Sequence, residues 1–349
     1  MHRDGPAAKA AAAVGAVSRL VDLGGPVHYL DFGGQGPTMV LVHGLGGSHV
    51  NWLAAGPLLA RSARVVAVDL AGFGYTPPAG RSTRLRANQR LLGRFVEEVA
   101  GAPALPVGNS MGGTISLLEA CEHPARVAGL VLVDPSLPRP AGVPLDRTVG
   151  AVFAAYAVPG VGERLLATRR ARLGPEGVAR ETLRLCCVDP SRVPPEVVEA
   201  GLALAHERAE LAWADAAFLE AARSLLAVLG RSRAFLRSVH AVRAPTLMVH
   251  GSADRLVPLA SARRVARLRP DWAFVVFREV GHIPQVEVPD RLAATVTRWL
   301  AGSGRAAARA ASQEFKERSG SPPENRGSGG LKERSGSPPE NREASPWTA

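Results

Sequence analysis

The run Gly108-Asn109-Ser110-Met111-Gly112-Gly113 places a serine in the spacing G-x-S-x-G. It follows an apolar stretch over 104–107 and opens a helical pattern at Met111. A serine on so sharp a strand-to-helix turn has a strained backbone and an accessible hydroxyl, and flanking glycines let neighbouring backbone come close. The helix N-terminus aims free N–H groups and its positive dipole end at an oxygen that gains charge beside the serine. That is the chemistry of a nucleophile attacking a carbonyl. A serine after a glycine turn also suits a plain helix N-cap. The buried strand before Ser110, and the partners it has elsewhere, favour the nucleophile.

Such a serine needs oxyanion donors, a base and an acid. One donor is the N–H of the residue after the nucleophile, Met111. The other comes from the loop after an early strand, His43-Gly44-Leu45-Gly46-Gly47, with Leu45 as the donor. His43 reads as structural, holding that loop. The base is His282, which follows Gly281 and the strand over 273–279. The acid is Asp254, just past the strand over 245–250, where its carboxylate can fix the imidazole tautomer. The chain order is then nucleophile, acid, base. Asp134 is the rival acid, at the end of the strand over 127–134; a strand-end capping residue before Pro135 is its better reading.

Short Val- and Leu-rich runs predict strands at 27–32, 38–43, 64–69, 104–109, 127–134, 245–250 and 273–279. Helical spacing predicts helices at 85–99, 111–122, 260–268 and 290–300. This alternation implies an α/β fold with a mostly parallel sheet flanked by helices. It breaks over 136–243, where five helices are predicted (145–157, 162–172, 176–185, 195–207 and 211–229) and no strand. The organisation expected is a flexible N-terminal extension over 1–24, an α/β core in two parts (25–135 and 244–302), an inserted all-helical cap over 136–243, and a disordered tail over 303–349. In that tail KERSGSPPENR occurs twice, a duplication in a segment too poor in apolar groups to fold alone.

The formal net charge of +11 raises nucleic-acid binding. Nearly all of it is arginine scattered along the chain, without interleaved aromatics or a zinc-finger or RRM signature, and this excludes a specific nucleic-acid partner. Cys121, Cys186 and Cys187 show no CxxC spacing and read as free thiols in a reducing compartment. No leucine-rich signal core and no run of about 20 apolar residues appears, so a cytoplasmic chain with no stable membrane insertion is expected. A small-molecule substrate is the expected partner; no oligomeric state is specified.

Together these motifs resemble the α/β-hydrolase fold superfamily, serine-nucleophile branch with a helical cap, from about Val27 to Leu300. The turn Asp69-Leu70-Ala71-Gly72-Phe73-Gly74 is similar to that family's D-x-x-G-x-G-x-S loop, with Thr76 where serine is commoner. The resemblance implies a cap inserted after the sixth strand and no metal or organic cofactor. Serine at the elbow speaks against the aspartate-nucleophile dehalogenases and epoxide hydrolases. The GNSMGG elbow resembles the carbon–carbon hydrolases of aromatic ring cleavage. Those usually have tryptophan after the histidine and glycine–proline–glycine after His-Gly, whereas here Ile283 follows His282 and the loop reads Leu45-Gly46-Gly47-Ser48. A carboxylic ester with an apolar acyl group is therefore the expected substrate. A ring-cleavage hydrolase and a non-catalytic receptor of the same fold are the alternatives.

Overall fold

Alternation along the strands decides which helices each face of the sheet receives. In the strand Thr38–Val42, Met39 and Leu41 face one buried cluster and Val40 and Val42 the other. A strand covered on both faces reads as a continuous apolar run, which is why these were visible in the sequence. The computed structural model describes residues 6–304, so the KERSGSPPENR repeat lies outside the described residues.

The chain begins with α1 (Pro6–Ala13) and β1 (Val17–Asp22), which pairs antiparallel with β2 (Pro26–Gly33). β3 (Thr38–Val42), α2 (Ala55–Leu59), β4 (Arg64–Val68), α3 (Leu85–Phe95), β5 (Leu105–Asn109), α4 (Met111–Glu122) and β6 (Leu130–Val133) follow. Then come five helices without a strand: α5 (Arg147–Ala157), α6 (Val161–Cys186), α7 (Pro195–Ala209), α8 (Ala214–Gly230) and α9 (Ser232–Ala241). The sheet resumes with β7 (Thr246–Gly251), α10 (Leu259–Leu268), β8 (Ala273–Phe277), the single turn α11 (Pro284–Glu287) and α12 (Pro289–Trp299). The eight strands lie in the order β1-β2-β4-β3-β5-β6-β7-β8. β2 is antiparallel to both neighbours, and every pairing from β4 to β8 is parallel. This is the α/β-hydrolase fold with a helical cap inserted after β6.

One sheet face carries α3, α4, α9 and α10 through Leu92, Phe95, Ile115, Phe235 and Val265. The other carries α2 and α12 through Leu59, Leu292 and Val296. The carboxyl ends of β3, β5, β6 and β7 therefore open toward one rim, where ligands bind in open α/β sheets.

Two expectations need correction. Within the segment 1–24, expected as a flexible extension, residues 17–22 form a sheet strand, and Ser18 Oγ lies 2.9 Å from His28 Nε2 on β2. β1 escaped notice because five of its six residues are exposed and none is fully buried, so it lacks an alternating apolar face. The two helices expected at 162–172 and 176–185 are both present within α6, separated at Gly174, whose φ of 65° ends the first ahead of Pro175. Finally, the stretch after 229 is a further helix, α9, whose Phe235 and Val239 join the core under the sheet. Its packing assigns it to the core rather than to the cap.

Because β1 shields the β2 edge and holds His28, a chain starting at Gly25 should melt at least a few degrees below the full chain. Equal melting temperatures by calorimetry would show β1 to be dispensable.

Candidate active site

β5 runs into Ser110, whose backbone stands at φ 53° and ψ −117°, and α4 starts at the next residue. Non-glycine residues rarely adopt positive φ, and strain of this kind collects at functional sites. The turn is possible because backbone meets backbone: a Cβ on Gly112 would collide with the carbonyls of Val42 and His43, and one on Gly108 with the backbone of Gly112 and Gly113. Ser110 N–H donates to Val133 O (3.1 Å), and its carbonyl accepts from Thr114 N (3.1 Å) and Ser136 N (3.0 Å). Its Oγ lies 3.2 Å from Ser136 Oγ. Among the described residues, neither Met111 N–H nor Leu45 N–H has a hydrogen-bond acceptor, so both remain available to an incoming oxygen.

His282 sits on the loop between β8 and α11, buried, with Nδ1 2.7 Å from Asp254 Oδ2. The carboxylate accepts the Nδ1 proton, which leaves Nε2 as the ring's acceptor. The other oxygen of Asp254 accepts from Leu256 N (2.8 Å) and Val257 N (3.0 Å). Burial opposes a charge on Asp254. The His282 ring, His250 and the Val257 N–H outweigh it and hold the carboxyl below its ordinary range. The backbone of His282 is clamped from both ends. Its N–H donates to Cys186 O (2.7 Å), and its carbonyl accepts from Asn109 Nδ2 (3.0 Å), which also donates to Val133 O (3.0 Å). Ser110, Asp254 and His282 are thus brought to the same rim of the sheet. No Ser110–His282 hydrogen bond exists among the described residues; Ser110 Oγ faces Ser136 instead. Asp134 does not reach the imidazole by a hydrogen bond; one of its oxygens accepts from Gly251 N (2.8 Å).

The roof over the Leu45–Gly46 loop is apolar. Phe218 of α8 lies 3.2 Å from where a Cβ on Gly46 would stand. Tyr156 of α5 meets Phe218 edge-on, ring centres 5.2 Å apart, and Phe153 meets Tyr156 at 6.0 Å. Leu225, also on α8, is buried in the main core instead.

Sequence reading missed Ser136, the Asn109 clamp and a buried carboxylate node. Asp69 Oδ2 accepts from His28 Nδ1 (2.7 Å), His49 Nδ1 (2.8 Å) and Tyr75 N (2.9 Å), and Oδ1 from His49 N (2.7 Å). These partners lie 41 and 20 residues away in the chain, so no local spacing betrays them. Burial opposes charge on Asp69 too, but His49 and His28 hold the carboxyl well below its usual range. Each Nδ1 lies within hydrogen-bond distance of the carboxylate, so the two imidazoles can satisfy it as donors. His43 is structural, as expected: Nδ1–H donates to Gly44 O (2.7 Å) and Nε2 accepts from Leu70 N (3.1 Å). Burial pushes its imidazole down to about 4, which keeps that acceptor unprotonated.

A family model described as "alpha/beta hydrolase fold" matches residues 37–289. A 2-hydroxy-6-oxo-2,4-heptadienoate hydrolase of Pseudomonas putida is 30% identical over 78% of this chain and 91% of its own length. A pimeloyl-[acyl-carrier protein] methyl ester esterase of Aeromonas hydrophila is 30% identical over 74% and 93%. A dihydrolipoyllysine-residue acetyltransferase component of an acetoin cleaving system, also from Pseudomonas putida, is 29% identical over 80% of this chain but 68% of its own length. Among solved structures, a thermophilic esterase from Thermogutta terrifontis superposes with a TM-score of 0.60 at 26% identity, covering 82% of this chain and 98% of that one. A haloalkane dehalogenase from Bradyrhizobium elkani gives 0.69 at 22% identity, covering 84% and 99%, a likeness of fold alone.

The Asp69 node can be tested apart from any chemistry. Asp69→Asn breaks a buried charged cluster and should cost about 3 kcal/mol or more at neutral pH. A carboxyl held low in the folded state stabilises above its unfolded value of about 3.9 and loses that contribution as pH falls below it. The gap between wild type and variant in urea unfolding should therefore narrow in acid. A gap that is constant with pH would contradict the node's charge.

Proposed function

The chain belongs to the alpha/beta hydrolase family, and from that premise we propose that it is a serine hydrolase acting on a carboxylic ester with an apolar acyl group. Ser110 is the nucleophile, His282 the general base and Asp254 the residue that orients the base. The observation that carries this reading is the clamp from Asn109 to the His282 carbonyl, which ties the residue before Ser110 to the loop bearing the base.

Turnover starts with Ser110 Oγ exchanging Ser136 for His282 Nε2. Oγ attacks the ester carbonyl carbon while Nε2 takes its proton, and Asp254 stabilises the imidazolium through the 2.7 Å bond to Nδ1. The carbonyl oxygen becomes an oxyanion and accepts from the N–H groups of Met111 and Leu45. Collapse expels the alcohol, which takes its proton from Nε2, and leaves the acyl chain on Ser110 under Phe218 and Tyr156. Water, deprotonated by His282, then attacks the acyl-enzyme; as the acyl–Oγ bond breaks the imidazolium returns that proton to Ser110 Oγ and the acid is released. Ser136 offers Ser110 a resting partner between turnovers.

Relatives of about 30% identity named as ring-cleavage hydrolases give a second reading, cleavage of a carbon–carbon bond by the same residues. The polar hydroxyl of Ser136 beside the nucleophile and the aromatic roof are compatible with either bond.

Ser110→Ala should lower kcat/KM by at least about 10⁴-fold with an unchanged melting temperature. Wild-type turnover in the folded variant would remove the assignment. Asp254→Asn should cripple kcat far more than Asp134→Asn; the reverse ranking, with both folded, would transfer the acid's role. Across p-nitrophenyl esters, kcat/KM should rise from acetyl to hexanoyl by up to about fourfold per methylene, each contributing about 0.8 kcal/mol. Turnover confined to a vinylogous diketone would decide for the carbon–carbon reading.

A further inference from the structure

Behind Asp254 lies a second carboxyl that the mechanism does not use. Asp134 ends β6 with φ 43° and is fully buried. One ligand atom each from Asp134, Asp254 and His282 lies within 4.8 Å of the others. Asp134 Oδ1 accepts from Gly251 N at 2.8 Å, while Oδ2 is buried without a hydrogen-bond partner among the described residues. The groups facing Asp134 are Asp254 after β7, His250 on β7, His282 before α11 and Glu287 on α11; Cys186 at the end of α6 bears on Asp254.

His250 settles where a proton can sit. Its Nε2 lies 2.9 Å from Val257 O, and a carbonyl only accepts, so Nε2 carries hydrogen. Nδ1 is buried and unpartnered, 3.6 Å from Asp134 Oδ1, too far for a hydrogen bond. Burial pushes His250 toward the neutral form, whose Nδ1 is a bare lone pair. An ionised Asp134 would therefore face a lone pair on one side and the charge of Asp254 on another, with one oxygen dry and unpaired. Two close buried carboxylates do not both ionise.

We infer that Asp134 and Asp254 form a carboxyl–carboxylate pair sharing one proton, in which neutral Asp134 directs its O–H toward Asp254 and so limits the negative charge behind His282. Asp134 is then a positioning residue, acting through Asp254. Burial first, and the adjacent Asp254 charge second, favour keeping the proton on Asp134, against the pull of the Gly251 N–H. The effect on catalysis rests on the triad reading above; the location of the proton does not.

The test uses the full chain and two variants, Asp134→Asn and Asp134→Ala. Asparagine reproduces a neutral acid, accepting from Gly251 and donating to Asp254. In the unfolded wild type Asp134 ionises above about pH 4, whereas in the native state it keeps its proton. Wild-type stability should therefore fall with rising pH relative to Asp134→Asn, and the variant's advantage in urea unfolding should widen from about pH 5 to 8. A constant or shrinking advantage would overturn the inference. So would the absence, from wild type at neutral pH, of a protonated-carboxyl infrared band, a measurement that needs no variant to fold. In p-nitrophenyl ester turnover, the acid limb of kcat/KM should stay in place in Asp134→Asn and move to higher pH by about half a unit or more in Asp134→Ala, which removes the donor. A fall of about one unit in Asp134→Asn would mean that a negative charge had been lost, and would also overturn it. If no form turns over any ester, the triad reading fails while the unfolding and infrared data still place the proton.

Discussion

The structure depends on one steric constraint: α4 can begin at Met111 only if it touches the carboxyl end of β3. That contact is backbone on backbone, at Gly112 against the Val42 and His43 carbonyls, and any side chain there would push the helix away. The turn that results holds Ser110 at φ 53° and leaves the first N–H of α4 without an acceptor. The cost of such a residue, of order 1–3 kcal/mol, is borne by the buried strands on either side. β5 is bonded to β3 and β6, and all five of its residues are buried. The strain and the open N–H are one feature, because both follow from the same turn between β5 and α4.

Three of the carboxyl groups buried in the protein are held in three different ways. Asp69 is saturated by two imidazoles and two backbone N–H groups and only shapes loops. Glu287 accepts from Gly281, Val188 and Asp189 N–H groups, and so fastens the loop bearing His282 to the end of α6. Asp254 spends one oxygen on two backbone N–H groups and the other on His282. Buried charge is tolerable where hydrogen bonds replace water, and each node meets that requirement. The second oxygen of Asp254 faces the ring that the proposed mechanism uses as its base.

The strand-to-helix turn at Ser110 was legible because what it needs is local: an apolar strand, two glycines and a helix start. The predicted bounds of α4, 111–122, match the observed Met111–Glu122. The placing of His282 and Asp254 on the loops after β8 and β7 was legible in the same way. What escaped was non-local or faceless. Ser136 meets Ser110 only because β5 and β6 are neighbours, 26 residues apart in the chain. The Asp69 node joins three separate loops and strands. β1 has no buried face to alternate. α9 did carry a signal, Phe235 and Val239 one turn apart, in a stretch for which no element was predicted.

The cap is attached unevenly. Arg208 of α7 donates to the carbonyls of Gly72 and Gly74 and lies over Phe73. Glu220 of α8 accepts from Thr83 N–H and hydroxyl, and Ser224 from Leu85 N–H. The end of α6 grips His282 through Cys186 O. A shift of any of these would move a loop of the site, and a hydrogen bond lost in a buried setting leaves a polar group unpaid at about 1–3 kcal/mol. The first half of α6 has no such ties to the sheet. Its polar links run within the cap, from Arg223 to Glu163 and from Arg170 to Asp215, and Val161 and Leu173 are exposed on it. The bend at Gly174 separates this half from the half that holds His282. Arg169 still pairs with Glu181 across that bend, and Arg255, next to Asp254, donates to Asp146 at the N-cap of α5 at 2.9 Å. That tie of α5 is an exposed ion pair and so a weak one, whereas those of α7 and α8 are at least partly buried.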